Sequence, residues 1–304
     1  MHLHHSILKT LAYFDIFDYP LSSEEIVFFL DNDVSTPSVE AALDLLVLEQ
    51  RVFRIGQFYS LQDKPSLAQR RLKGNQYAQQ LLSIGRRISG RLFQFPFVRG
   101  IGISGSLSKN FADEKADIDY FVITHPNRLW IARTAMHLYK KWSYLTGRQD
   151  WFCMNYFIDE EALEIREKNI FTAMELITLL PISGNGSLTA FFDANDWVSE
   201  WLPQYRNRTR TTQGQWHSSR LKSCMEWLLD NKFGDWVDDR LHKLTTRRWQ
   251  RKEAQGLRNA KGFPMSLQTD KHYSRPNPGM LQKRILTTYT SKLMDIDVTP
   301  SFPN

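Results

Sequence analysis

Four residues in the middle of the chain have the types and spacing of a phosphate and metal site. Gly105 and Ser106 are followed, after ten intervening residues, by Asp117 and Asp119. The hydrophobic run Ile118 to Thr124 predicts a strand, and in a strand residues two apart share a face, so both carboxylates are expected on one side. Like charges held that close repel and raise one another's pKa unless a cation stands between them. The pair therefore points to a metal, and its hard oxygen donors point to magnesium. The residues before it, Val98 to Ser104, predict a shorter strand that ends at Gly105-Ser106. A glycine there lets a phosphate approach backbone N–H groups, and the Ser106 hydroxyl adds a donor. Ser104, Gly105, Ser106 and Lys109 are thus the candidate nucleotide contacts. A polar loop at a strand edge would produce similar letters. Strand context on both sides, the helix-like SLSKNFADEKA between them and the buried run Tyr120-Phe121-Val122-Ile123 favour the site.

The stretch IGISGSLSKNFADEKADIDYFVIT, residues 101–124, resembles the hallmark of the DNA polymerase beta-like nucleotidyltransferase superfamily: a Gly-Ser, then an Asp-hydrophobic-Asp on the next strand. The likeness is local, most convincing over residues 100 to 125, with the flanking elements to about residue 160 fitting loosely. It implies an α+β fold with a mixed sheet and helices against it, two magnesium ions, and transfer of a nucleoside monophosphate from an NTP with loss of pyrophosphate. It also implies that Gly105 and Ser106 hold the triphosphate while Asp117 and Asp119 hold the metals. Two-metal chemistry clamps the attacking and leaving oxygens in line.

The third carboxylate of that superfamily has no obvious counterpart. The strand predicted over 151–158, in WFCMNYFID, carries Asn155 at its centre, with Asp150 and Asp159 at its ends. An asparagine can ligate a metal through its carbonyl oxygen but adds no charge and cannot act as a base. Three outcomes are open: Asp159 or Asp150 fills the role, two carboxylates suffice, or the protein binds nucleotide without turnover. The expected function is magnesium-dependent nucleotidyl transfer to an unidentified acceptor: a small molecule, an RNA end or a protein side chain. The alternative is a catalytically degenerate nucleotide-binding or winged-helix regulatory protein.

The elements before the site read as three helices and a hairpin. Ile7, Leu8, Leu11 and Phe14 give the first, Ser22 or Ser23 caps the second, and Ser35 or Thr36 caps a third that runs to Glu49. Arg51 to Ile55 and Phe58 to Leu61 flank a turn at Gly56-Gln57, so residues 1–64 resemble a winged helix-turn-helix module. Charge argues against duplex DNA as its partner. Residues 1–61 hold Lys9, Arg51 and Arg54 against nine carboxylates, and Glu40, Asp44 and Glu49 sit on or beside the third helix. A packing or partner-docking role is the other reading. Residues 66–92 predict one long helix leading into a nucleotidyltransferase domain assigned to 65–165.

Beyond residue 165 the chain reads as a mostly helical, basic region. Residues 204–304 hold 19 Lys/Arg against 9 Asp/Glu, whereas residues 1–203 hold 20 against 24. Arg247, Arg248, Arg251 and Lys252 either meet phosphates or form a solvated helix face. One helix is expected to end at Pro181 and be followed by a loop at 183–187. Another helix begins at 194–197, a polar surface loop covers 204–215, and a long helical region runs from Arg220 to about Gln255. The tryptophans of this region are either base-stacking or core. Lys271 to Gly279 reads as a loop that either covers the site with His272 or Arg275 or merely connects.

Composition sets the limits. The chain has 304 residues, 42% hydrophobic and 24% charged, with a net charge of +6, typical of a globular protein of about two domains. It has no apolar run of transmembrane length and opens without the layout of a secretory signal, so a cytoplasmic location and no membrane partner are expected. Cys153 and Cys224 form no ligand motif, and His2, His4 and His5 at a fraying terminus make a poor metal site.

Overall fold

Residues 119–124 divide their side chains between two cores, and this division organises the molecule. Tyr120 and Val122 pack on one face of the sheet with Phe157 and Trp130. Phe121 and Ile123 pack on the other with Phe191, Met174 and Leu176. The computed structural model describes residues 2–114, 116–143, 151–208, 218–258, 262, 264–276 and 278–298. It is a mixed α+β protein with a six-stranded mixed sheet.

The first three helices are α1 (His2–Asp15), α2 (Ser23–Phe29) and α3 (Thr36–Leu48), followed by the hairpin β1 (Phe53–Ile55) and β2 (Phe58–Ser60). Ser22 caps α2 in a full capping box with Glu25, which satisfies two N–H groups that the helix start would leave orphaned. Gly56, at φ +64°, makes the hairpin turn. The long helix α4 (Ser66–Leu92) then crosses to the sheet. Its Arg71 is buried, donates to the Pro20 carbonyl at 2.8 Å and to Glu25 at 2.5 Å, and lies over the Tyr19 ring. That combination satisfies a buried guanidinium and fixes the N-terminal helices against the rest of the chain.

The sheet is built from β3 (Val98–Ser104), β4 (Asp119–Thr124), β5 (Cys153–Asp159), β6 (Leu180–Ser183), β7 (Leu267–Thr269) and β8 (Tyr273–Pro276), in the order β6-β3-β4-β5-β8-β7. The pair β3–β4 is antiparallel and β4–β5 parallel. The parallel pair needs a crossover, supplied by α6 (Leu129–Ser143). Topology thus returns α6 to the end of the sheet where Asp119 and Cys153 lie side by side.

Three of the six strands come from beyond residue 165, and here the structure departs from expectation. The helix expected to end at Pro181 stops at Thr178 as α7 (Ile170–Thr178), and β6 follows, pairing with β3. The expected loop at 183–187 contains the start of α8 (Asn185–Ala194). Gly184 makes the change of direction at φ +84°, where a Cβ would fall 2.0 Å from the Arg99 carbonyl. The helix expected from 194–197 is one turn, α9 (Val198–Trp201), ahead of a 3₁₀ turn at Pro203–Asn207. The long helical region expected over 220–255 is helical and consists of two helices, α10 (Arg220–Leu229) and α11 (Lys232–Ala254). Asn231 restarts it by accepting from the N–H groups of Phe233 and Gly234. The expected loop at 271–279 contains β8 and leads into α12 (Pro278–Asp295). Short strands at a sheet edge carry little alternation of their own, so pairing rather than local pattern creates them. Asp150 and the polar stretch from 209 to 215 lie outside the described residues.

The N-terminal helices share a core with α7, α8 and α12. Tyr13 of α1 packs edge-on against Tyr289 of α12, and Lys292 pairs with Asp15. Among the described residues no helix is long and apolar enough to cross a membrane.

Candidate functional site

The turn between β3 and α5 (Gly105–Ser108) is shaped around a carboxylate. Ser104, last in β3, pairs with Asp119, first in β4. Gly105 follows at φ +73°, and a Cβ on it would stand 2.7 Å from Asp119 Oδ2. Glycine takes this left-handed backbone without strain, and any larger residue there would require the Asp119 carboxylate to shift. The Gly-Ser turn and the second aspartate are therefore fitted to each other.

Asp117 and Asp119 both line a cavity of about 600 Å³. Ile118 between them is fully buried in the opposite core, so the two-residue alternation expected from sequence places both carboxylates on one side. Ser104, Cys153 and Asn155 line the same end, and Phe121, Tyr156, Thr172, Leu176 and Arg275 extend the wall away from it. The cavity's polar end is the carboxylate pair. Its remaining wall is largely apolar, the make-up of a pocket that orients a ligand with a few polar groups.

Asn155 sits at the centre of β5, where a third carboxylate would stand, and its side-chain amide donates to Asp119 Oδ1. The amide thus adds a hydrogen bond where a carboxylate would add repulsion. Cys153 donates from Sγ to Asn155 Oδ1 at 3.2 Å. Burial, then the negative charge of Asp119, pushes its thiol pKa up to about 12, with Asp117 adding to the rise. The thiol is held neutral, which removes it as a nucleophile and keeps it as a spacer beside the carboxylates.

Sequence reasoning missed Glu175. It projects from α7 into the same cavity and pairs with Lys109, Nζ to Oε1 2.7 Å; Lys109 also donates to the Gly105 carbonyl at 3.2 Å. A single carboxylate in the otherwise apolar IFTAMELIT of α7 was the available signal. Lys109 therefore braces the Gly105 turn against α7, where a direct phosphate contact was expected. Its carbonyl accepts from the Tyr19 hydroxyl, so the N-terminal helices also reach this turn. Ser106 is exposed and is not among the residues lining the cavity, whereas Ser104 is.

Asp159 and His272 belong to a different place. Asp159 pairs with Thr124 at the far end of β4, whereas Asp119 pairs with Cys153. Six residues of strand separate the two positions on β5, about 20 Å at ~3.3 Å per residue. Asp159 is fully buried, accepts from the N–H groups of Asn127 and Glu161, and meets His272 Nδ1 at 2.9 Å. It holds the loop after β4 and is no partner of Asp117, contrary to its candidacy as a metal ligand. Antiparallel pairing of β8 with β5 carries Arg275 in the opposite direction, into the cavity wall. There it meets Glu167 and Gln282 and lies 5.8 Å from the Tyr156 ring.

Among the described residues no group of three or more His, Cys, Asp or Glu side chains is placed to hold a metal ion. The donor set at the cavity is the carboxylate pair with the neighbouring Asn155 amide. It suits magnesium, which is commonly held by one or two carboxylates with substrate phosphates and water completing six oxygens. No family model, no curated protein and no solved structure matches the chain.

Proposed function

We propose that the protein is a nucleotidyltransferase that moves a nucleoside monophosphate from an NTP to an acceptor hydroxyl, amine or phosphate. The observation that carries the reading is the fit of the Gly105 turn to the Asp119 carboxylate inside a cavity that Asp117 also lines. The mixed sheet, with its antiparallel β3–β4 pair joined through Gly-Ser, supports the likeness to the polymerase beta-like superfamily. Magnesium, when bound, would supply Lewis-acid charge at the phosphates. Asp117 and Asp119 would hold it, with the Asn155 amide orienting Asp119. The acceptor atom attacks the α-phosphorus, the bond from that phosphorus to the bridging oxygen breaks, and pyrophosphate leaves with the electron pair. Arg275 is the cation of the cavity wall that can face developing negative charge.

The three N-terminal helices and the hairpin have the order of a winged helix. Exposed Glu40, Asp44, Leu45 and Leu48 on α3 give it an acidic and apolar face that repels duplex phosphate. Its anchorage through Tyr19, Arg71 and Asp15 makes a supporting role for the turn its better reading.

The amide at Asn155 favours one second reading, a nucleotide-binding regulator without turnover, because no described carboxylate takes the third position. Incubation with NTP labelled at the α-phosphate separates the two. Transfer of label with release of pyrophosphate supports the enzyme. Tight magnesium-dependent binding with no pyrophosphate formed supports the regulator.

A further inference from the structure

The helix α11 brings Trp249 to the cavity wall, Lys252 beside that ring, and a cationic stripe on its outer face. From Arg240 to Lys252 its sequence is RLHKLTTRRWQRK, with six Lys/Arg and no carboxylate. Arg240, Lys243, Arg247 and Arg251 follow helical spacing along one face, and all four are exposed. They span about 17 Å at ~1.5 Å per residue. Arg248 and Lys252 stand roughly a quarter to a third of a turn round from that stripe, at ~100° per residue, on the side leading to Trp249. Trp249 itself lines the cavity, and Lys252 Nζ lies 5.0 Å from its ring.

Topology brings a second helix to the same end. The crossover helix α6 must finish where β5 begins, beside Asp119, and its last turn is Lys140-Lys141. The helix α11 packs against α6, with Asp238 accepting from Ile131 N–H in the first turn of α6 and His242, one turn further along α11, stacked on the neighbouring Trp130. Lys141, Arg248 and Lys252 consequently feel one another: burial first, then the charges of Arg248 and Lys141, lower the Lys252 pKa. Among the described residues none of the six α11 cations forms an ion pair. Like charge of this density, unpaired among the described residues, lowers stability unless a polyanion neutralises it.

We propose that the acceptor is the end of a single-stranded nucleic acid, its phosphates held along α11 and by Lys141, its terminal base against Trp249, and its 3′-hydroxyl directed toward Asp117 and Asp119. The inference rests on the nucleotidyl-transfer reading for its chemistry. The 3′-oxygen forms a bond to the α-phosphorus, the bond to the bridging oxygen breaks, pyrophosphate leaves, and the hydroxyl proton passes to water. A strand fits better than a duplex, since Arg248 and Lys252 place cations between the outer stripe and Trp249, an aromatic on which a base can stack, and only a free end can enter the cavity.

The test is fluorescence anisotropy of a 12-residue oligouridine with a free 3′-hydroxyl, without NTP or magnesium, so that its outcome is independent of nucleotide binding. Four phosphate contacts predict an affinity that falls about 50-fold between 50 and 200 mM salt. Arg248→Glu/Arg251→Glu should weaken binding at least ten-fold and flatten the salt dependence, and Trp249→Ala should weaken it about five-fold or more. Failure to bind the oligonucleotide, binding unchanged by the charge reversal, or binding to phosphatidylserine vesicles in its place would overturn the proposal. Adding labelled NTP and magnesium should then extend the bound strand by labelled residues. Binding without extension, while pyrophosphate is released onto another acceptor, would overturn the acceptor role and leave nucleotidyl transfer standing.

Discussion

Gly105 and Asp119 stand so close that a single methyl group on the glycine would fall 2.7 Å from the carboxylate oxygen. Because Gly105 is also at φ +73°, Gly105→Ala introduces a steric conflict and a backbone strain of about 1 kcal/mol or more. The variant should keep its circular dichroism spectrum, lose a few degrees in Tm and bind magnesium-NTP at least ten-fold more weakly. Unchanged nucleotide affinity would show that the position of Asp119 does not matter for binding.

Lys109 and Glu175 make a partly buried pair beside that turn. Lys109→Met leaves Glu175 without its cation in the cavity that the two aspartates also line, a larger penalty than loss of the pair itself. The double change Lys109→Met/Glu175→Gln should therefore be more stable than Lys109→Met alone, by about 1 kcal/mol in a denaturant-melt cycle. Additive effects would mean that the two side chains do not interact in solution.

Asp159→Asn should separate stability from binding. The change weakens the hydrogen bonds to Asn127, Glu161 and His272 in a fully buried position, at a cost of about 1–3 kcal/mol. Magnesium-NTP affinity should stay within two-fold, since the residue is at the other end of β5. A large loss of affinity at unchanged Tm would place Asp159 in the site.

Asp238 makes stability depend on pH. Burial pushes its pKa up to about 7, opposed by the backbone N–H groups of Ile131 and Trp130 and by Arg128. With the folded value above the unfolded one, near 3.9, the folded state binds the extra proton between those limits. Stability due to this group is complete below about pH 4 and falls by about 1.4 kcal/mol per pH unit toward pH 7. Asp238→Asn keeps an acceptor for Ile131 N–H and should flatten the pH dependence of Tm in that window. Because Asp238 joins α6 to α11, an unchanged slope would also question how firmly those helices are joined.

The local parts of the fold were legible because their signals are local. The helix cap at Ser22 or Ser23, the glycine turn at Gly56 and the shared face of Asp117 and Asp119 each act within a few residues. What sequence did not reveal depends on partners far along the chain. Leu180–Ser183 is a strand because β3 offers it an edge, and Tyr273–Pro276 because β5 does. Glu175 enters the cavity only because α7 packs on the sheet beside Lys109. Asp159 was one of two carboxylates at the ends of the strand centred on Asn155, and the parallel register with β4 is what puts it at the end away from Asp119.

If Asp117 and Asp119 hold magnesium-NTP in the cavity, calorimetric titration of each NTP with magnesium will detect it. Wild type should bind at least one NTP in a magnesium-dependent manner, and Asp117→Asn/Asp119→Asn, which keeps the shape and removes the charge, should abolish that binding. Binding by the double variant with undiminished affinity, or no binding of any NTP by wild type, would contradict the account.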